Sequence, residues 1–241
     1  MLGRQPLRRK RRAPPRPRDL ATTRATILSA AFDEMYIHGF QGTSIDKIVA
    51  RTGLTKGALF HIFPTKSDLG YAVVDEVITE MIRQQWVVPL RDASDPLAII
   101  SRSFDAGAVE LEKMPVHHGC PLNNIAQEMS ALDEGFKVRV ERVFAEWIET
   151  TAAALERGKK KGIVRKEVAS RDAAVLLVTL VEGILSLAKT TQSPEMLRSG
   201  SRNIRSMVES FRQTNRTRRQ SSAAFKSVGE HSEIAESKTP P

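Results

Sequence analysis

Apolar residues recur along most of this chain at intervals of three and four, the spacing that places them on one face of a helix. Nothing reads as an alternating strand, and no internal repeat is evident. Leu28, Ala31, Phe32 and Met35 predict a first helix from about Thr22 to His38, ended by Gly39. Ile45, Ile48 and Val49 predict a second through Arg51, with Thr43 or Ser44 as its N-cap and Gly53 supplying the turn that follows. In a third short helix Leu59, Ile62 and Phe63 point inward. The pattern then lengthens. Val74, Val77, Ile78 and Met81 mark a helix from Lys66 to about Val88, opened by Thr65 with Asp68 three residues on and stopped by Pro89. At more than roughly 20 residues it spans about 30 Å.

Further helices are predicted from about Asp95 to Met114, from Pro121 to about Ser130 and from Asp133 to Lys161, the last with Phe136, Val140, Val143, Phe144, Trp147 and Leu155 at helical spacing and Gly162 at its end. The stretch from Arg171 to Thr191 is apolar around most of its circumference and is expected to be buried on more than one side. A final helix, about Pro194 to Arg212, carries Ile204, Met207, Val208 and Phe211. The fold class is therefore all-α.

The stretch from Thr43 to Lys66 has a helix-turn-helix layout. The outer face of its second helix carries Thr55, Lys56, Gly57, Phe60 and His61 and lacks apolar bulk at its N-terminal end. Such a face suits the major groove, where polar side chains read base edges and small residues allow close approach. Lys66, at the next helix start, is placed to grip a phosphate together with backbone amides. Thr43 joins these as a candidate DNA contact.

The run G-F-x-G-T-S-I-D-x-I-V-A-R-T-G-L-T-K-G-A-L-F-H-I-F-P-T-K-x-D-L resembles the DNA-binding motif of the TetR/AcrR family of bacterial repressors, and the resemblance covers residues 22 to 70. Phe60 stands where that family commonly has Tyr, which removes a hydroxyl contact to phosphate and keeps ring packing on the sugar. Ile62 stands where a His is common. The resemblance implies a three-helix headpiece, a C-terminal helical domain for ligand binding and dimerisation, and a homodimer built by the last two helices as a four-helix bundle, with Gly183 allowing close backbone approach. The expected divisions are a disordered basic arm over 1–20, the DNA-binding domain over 21–66, the regulatory and dimerisation domain over 67–213, and a disordered tail over 214–241.

Charge sharpens this picture. The 241-residue chain has a formal net charge of +9. Arg4, Arg8, Arg9, Lys10, Arg11, Arg12, Arg16 and Arg18 precede the first acid, so the remainder is nearly balanced. With Pro14, Pro15 and Pro17 among them, these residues predict a non-helical arm able to displace counterions from a duplex and reach a minor groove. A solubilising tail is the plain alternative. The arm lacks the apolar segment of a secretory signal, and no apolar run reaches the length expected of a membrane span. A single cysteine forbids an intramolecular disulfide and fits a reducing cytoplasm.

No enzyme motif is present. Gly158 to Gly162, GKKKG, lacks the spacing and the Ser/Thr of a phosphate loop, and neither a cofactor nor a metal is expected. Cys120 stands out, between His117-His118-Gly119 and Pro121, at the N-cap of a predicted helix where the dipole favours a thiolate. A subset of TetR-type repressors, including sensors of electrophiles or oxidants, is similar here. An inert packed cysteine and a metal ligand are the other readings. Trp86, Phe104, Met114, Leu122, Met129 and Trp147 are candidate walls of an effector pocket, and Asn123 and Asn124 candidate polar contacts. Ordinary core packing explains the same residues.

The expected function is a dimeric regulator, with repression the resembled family's usual mode, that leaves a palindromic double-stranded operator when a small-molecule or electrophilic effector acts, directly or by modifying Cys120. A sequence-tolerant architectural binder using the basic arm is the alternative, and a helical binding protein or enzyme with a relic headpiece a third.

Overall fold

The computed structural model describes residues 17–113 and 118–214, with the side chains of 17–19 left aside. The basic arm up to residue 16, Met114, His117 and the tail beyond Thr214 lie outside the described residues. Among these the chain is helical, with one isolated bridge between Val164 and Arg212 and no strand. It forms two compact units that divide between Val73 and Val74.

The N-terminal unit contains α1 (Pro17–Gly42), α2 (Ile45–Thr52), α3 (Lys56–Ile62) and α4 (Lys66–Ala72). Helix α1 begins at Pro17, earlier than the arm boundary at residue 20 that the prolines suggested. Proline is tolerated in a first turn, where its missing N–H has no partner to lose. The regular helix stops at Gly39, whose φ of 74° an L side chain rarely adopts. Ile27, Leu28, Ala31 and Met35 are buried, while Phe32 is half-buried and stacks on Tyr36. α4 also belongs to this unit: Leu69, Gly70, Ala72 and Val73 are buried and α4 packs on α1. The compact unit thus reaches Val73, beyond the expected limit at 66.

The second unit holds α5 (Thr79–Ile82), α6 (Val88–Arg91), α7 (Pro96–Glu112), α8 (Pro121–Met129), α9 (Glu134–Lys160), α10 (Ser170–Thr191) and α11 (Pro194–Ser210). Two expectations for the segment before α7 fail for one reason. Wide π turns occupy Val73–Ile78 and Arg83–Val87. The buried positions 74, 78, 82, 86 and 90 are spaced by four. An α-helix drifts about 40° per four residues, and the wider turns take up that drift. Met81, predicted to face inward, is therefore exposed, and Ile82 is buried instead. Pro89 does not stop the helix, which continues to Arg91, because it falls in the first turn after the second π segment.

Ion pairs hold this segment on α9. Asp75 accepts from Arg139 at 3.0 Å and Arg142 at 2.6 Å, and Arg83 Nε donates to both oxygens of Glu146 at 3.0 and 2.9 Å. Helix α7 is capped by Asp95, which accepts from the amides of Leu97 and Ala98, and α9 by Asp133. Helix α10 is long and apolar enough, by length and composition alone, to cross a membrane, although Glu182 and Lys189 interrupt its apolar run. In this fold it packs between α9 and α11. Gly200 allows the close approach of α11 to α10, whereas Gly183 meets nothing within 4 Å in the chain.

Candidate functional site

The headpiece motif is set by local chemistry. Ser44, rather than Thr43, caps α2, its hydroxyl accepting from the Lys47 amide at 3.4 Å. Gly53 closes α2 with φ 67°. Thr55 caps α3 by accepting from the Ala58 amide at 3.1 Å. Leu59 and Phe63 are buried, Ile62 is half-buried, and the Arg24 guanidinium lies 4.5 Å from the centre of the Phe63 ring. This anchoring turns Thr55, Lys56, Gly57, Phe60 and His61 to the surface. A Cβ at Gly57 would meet only Thr55 Oγ1, at 3.9 Å. The protein's own packing therefore does not demand glycine there, and the missing side chain leaves room for an outside surface.

Thr43 does not join this face. It is buried, and its hydroxyl donates to the Gly39 carbonyl at 2.6 Å, where it seals the end of α1. Lys66 donates to the Gln41 carbonyl at 3.0 Å and lies 5.1 Å from the Phe40 ring centre. Thr65 and Asp68 complete a reciprocal capping box at 3.0 Å in both directions. The sequence reading missed Asp46, whose carboxylate holds the Lys56 ammonium at 2.6 Å. No spacing rule signals a pair ten residues apart on two helices.

In the second unit, Trp86 and Trp147 stack with centroids 4.9 Å apart, and Phe104 lies 6.5 Å from Trp86. Beside the two tryptophans is a void of about 10 Å³, also lined by Leu90, Thr151 and Val181. In this arrangement it has room for about one water. The buried Thr151 hydroxyl has no hydrogen-bond partner. Cys120, Asn123 and Phe104 do not line this void. Asn123 is half-buried at the start of α8. Asn124 is tied at both ends, donating to the His118 carbonyl and accepting from Lys189, each at 2.8 Å.

Cys120 is the N-cap residue of α8 and is buried. The expectation of a favoured thiolate is corrected: burial, and next the carboxyl of Glu182, push the thiol well above its ordinary value, and the opposing amides of Asn123 and Leu122 contribute less. Glu182, on α10, is itself buried, and burial raises its carboxyl to about 7. Among the described residues no three ligating side chains gather as a metal site.

A capped helix-turn-helix with a polar outward face, joined to a separate helical unit, defines a DNA-binding regulator. Residues 27–73 match the TetR family of bacterial regulatory proteins, and residues 96–203 match the C-terminal domain of LmrA/YxaF-like transcriptional regulators. An uncharacterized HTH-type transcriptional regulator of Lactococcus lactis is 29% identical over 181 residues, spanning 75% of this chain and 90% of the relative. The HTH-type transcriptional repressor DhaR of a Mycobacterium species is 24% identical over 159 residues, 66% of this chain and 78% of its own. A TetR transcriptional regulator of Chloroflexus aurantiacus superposes with a TM-score of 0.73 at 27% identity, over 82% of this chain and all of that one. The chain belongs to the TetR family and is a transcriptional regulator, not an enzyme.

Proposed function

We propose that the protein is a homodimeric repressor that binds a palindromic double-stranded operator and is released by a small-molecule or electrophilic effector. The observation that carries this reading is α3: Thr55 caps it, Leu59 and Phe63 anchor it, and Thr55, Lys56, Gly57, Phe60 and His61 face out. Two such helices about one DNA turn apart read two half-sites. Support for a dimer comes from α10, which leaves Val175, Leu176 and Leu187 exposed, with the bare Gly183 between them. TetR regulators generally act as dimers on operators.

Release requires an effector that favours one arrangement of the regulatory domain over another. Either a ligand near Phe104, Trp147 and Asn123 or a covalent change at Cys120 supplies it. The helical run from Lys66 to Arg91 is the covalent link through which the headpieces are respaced. The basic arm adds salt-dependent affinity for the duplex.

The test is binding to the DNA upstream of the protein's own gene and to random duplex at one salt concentration. It is run with and without a mild thiol-reactive electrophile, for wild type and Cys120→Ser. Equal affinity for both duplexes indicates a sequence-tolerant binder and overturns the repressor reading. Release of wild type but not of the variant supports Cys120 as the sensor, and equal behaviour of the two moves the effector to a reversible ligand.

A further inference from the structure

Glu182 is 8% exposed, and neither carboxylate oxygen has a hydrogen-bond partner of ordinary geometry. A buried carboxyl is costly unless something compensates it, and an apolar side chain here would be cheaper. The start of α8 is seated on this part of α10, where a Cβ at Gly119 would stand 3.4 Å from the Leu185 carbonyl, and this brings the Cys120 thiol against the Glu182 carboxyl. Cys120 is the N-cap residue of α8, so the first-turn amides of Leu122 and Asn123 lie near that sulfur without a capping hydrogen bond to it. Lys189, two turns further along α10, is engaged by Asn124. The thiol, an unpaired carboxyl and two amides therefore share one buried place.

We propose that Glu182 is the general base for Cys120, taking the thiol proton as Sγ adds to a small, uncharged α,β-unsaturated carbonyl compound. This rests on the reading of Cys120 as the sensor. In the step the S–H bond breaks and its proton passes to a Glu182 oxygen, while the sulfur electron pair forms a bond to the β-carbon. The C=C pair shifts toward the carbonyl as an enolate, and the α-carbon then takes the proton back from Glu182. The adduct forms with no oxidant or reductant, and Glu182 is regenerated. The helix-start amides stabilise the charge that develops on sulfur.

The surroundings select this class of electrophile. Burial of Cys120 excludes bulky reagents, and the carboxylate repels anions. A thiol held in its protonated form needs its proton removed during the attack. A base that ionises near neutrality suits that task.

The full-length protein is treated with methyl vinyl ketone across pH 5.5 to 9, and adducts are counted by intact mass, with Cys120→Ser as the blank for other nucleophiles. Wild type is expected to gain one Cys120 adduct at a rate that rises to pH about 7 and then levels. Glu182→Gln is expected to react at least about 100-fold more slowly at pH 7, rising steadily with pH, and Glu182→Asp to recover part of the rate. Wild-type rate and profile in Glu182→Gln overturn the role of Glu182 and leave the sensor reading standing. No adduct beyond the Cys120→Ser blank overturns the sensor reading itself. If Glu182→Gln does not fold, the wild-type profile decides: levelling near 7 supports the proposal, and a steady rise to pH 9 overturns it.

Discussion

Gly200 and Ile184 meet where α11 crosses α10 with no space for a further carbon: a Cβ on Gly200 would stand 2.4 Å from Ile184 Cγ2. Leu197, Ile204 and Val208 continue the buried face of α11 on either side. Gly200→Ala is expected to destabilise the protein by about 1–3 kcal/mol through overpacking. In an Ile184→Ala background the same substitution costs less. Urea unfolding of the two single variants and the double variant measures the coupling.

Lys56 is exposed at the outer face of α3, with its ammonium paired to Asp46. Lys56→Ala is expected to weaken operator binding and to lower the slope of log affinity against log salt by about 1 per subunit, about 2 for the dimer. Asp46→Asn should bind at least as tightly as wild type, because it frees the ammonium and removes a charge that repels phosphate. Titrations at several salt concentrations check both, and unchanged affinity in Lys56→Ala excludes the assigned face.

Replacing both Leu176 and Leu187 by Asp places charge in the exposed apolar stripe of α10. The expected result is a monomer by sedimentation velocity. Operator affinity should fall by about 100-fold or more as the linkage of two half-sites is lost. A variant that remains a dimer moves the interface elsewhere.

Glu182 gives stability a pH dependence of known sign. Its carboxyl titrates near 4.5 when unfolded and at about 7 when folded. Below 4.5 both states are protonated and burial carries no ionic penalty. Between those values the unfolded state alone ionises, so stability falls as pH rises, and above 7 the loss is complete at roughly 2–4 kcal/mol. Glu182→Gln should lack that decline, which unfolding curves at pH 5 and 8 would reveal.

Asp95 behaves in the opposite sense. Partial burial raises its carboxyl, but the Arg212 hydrogen bond and the amides of Ala98 and Leu97 together hold it below the ordinary 3.8. Its contribution is present above that value and is lost as pH falls through the lower folded one. Asp95→Ala should cost about 1 kcal/mol or more at pH 7 through the lost α7 cap. The difference from wild type should shrink below pH 4.

The sequence by itself determined the parts built from neighbouring residues. The capping box of Thr65 with Asp68 and the turn at Gly53 each need only a few consecutive residues in the right order, and they make the headpiece motif legible. The buried stripes of α7 and α9 followed in the same way from a period near 3.6. That period failed beyond Ala72, because the π turns change how many residues make a turn. Nothing in the local pattern distinguishes Met81 outside from Ile82 inside.

Tertiary structure alone decided the rest. Thr43 and Ser44 are equivalent as caps on paper, and only the end of α1, which offers the Gly39 carbonyl, assigns them different roles. Asp46 meets Lys56 because two helices cross. Glu182 lies in a helix whose composition says simply apolar, while Cys120 is 62 positions away. Their meeting follows from the delivery of the α8 N-terminus against α10. It reverses what the helix dipole predicted for the thiol, because burial and a carboxyl neighbour outweigh two backbone amides.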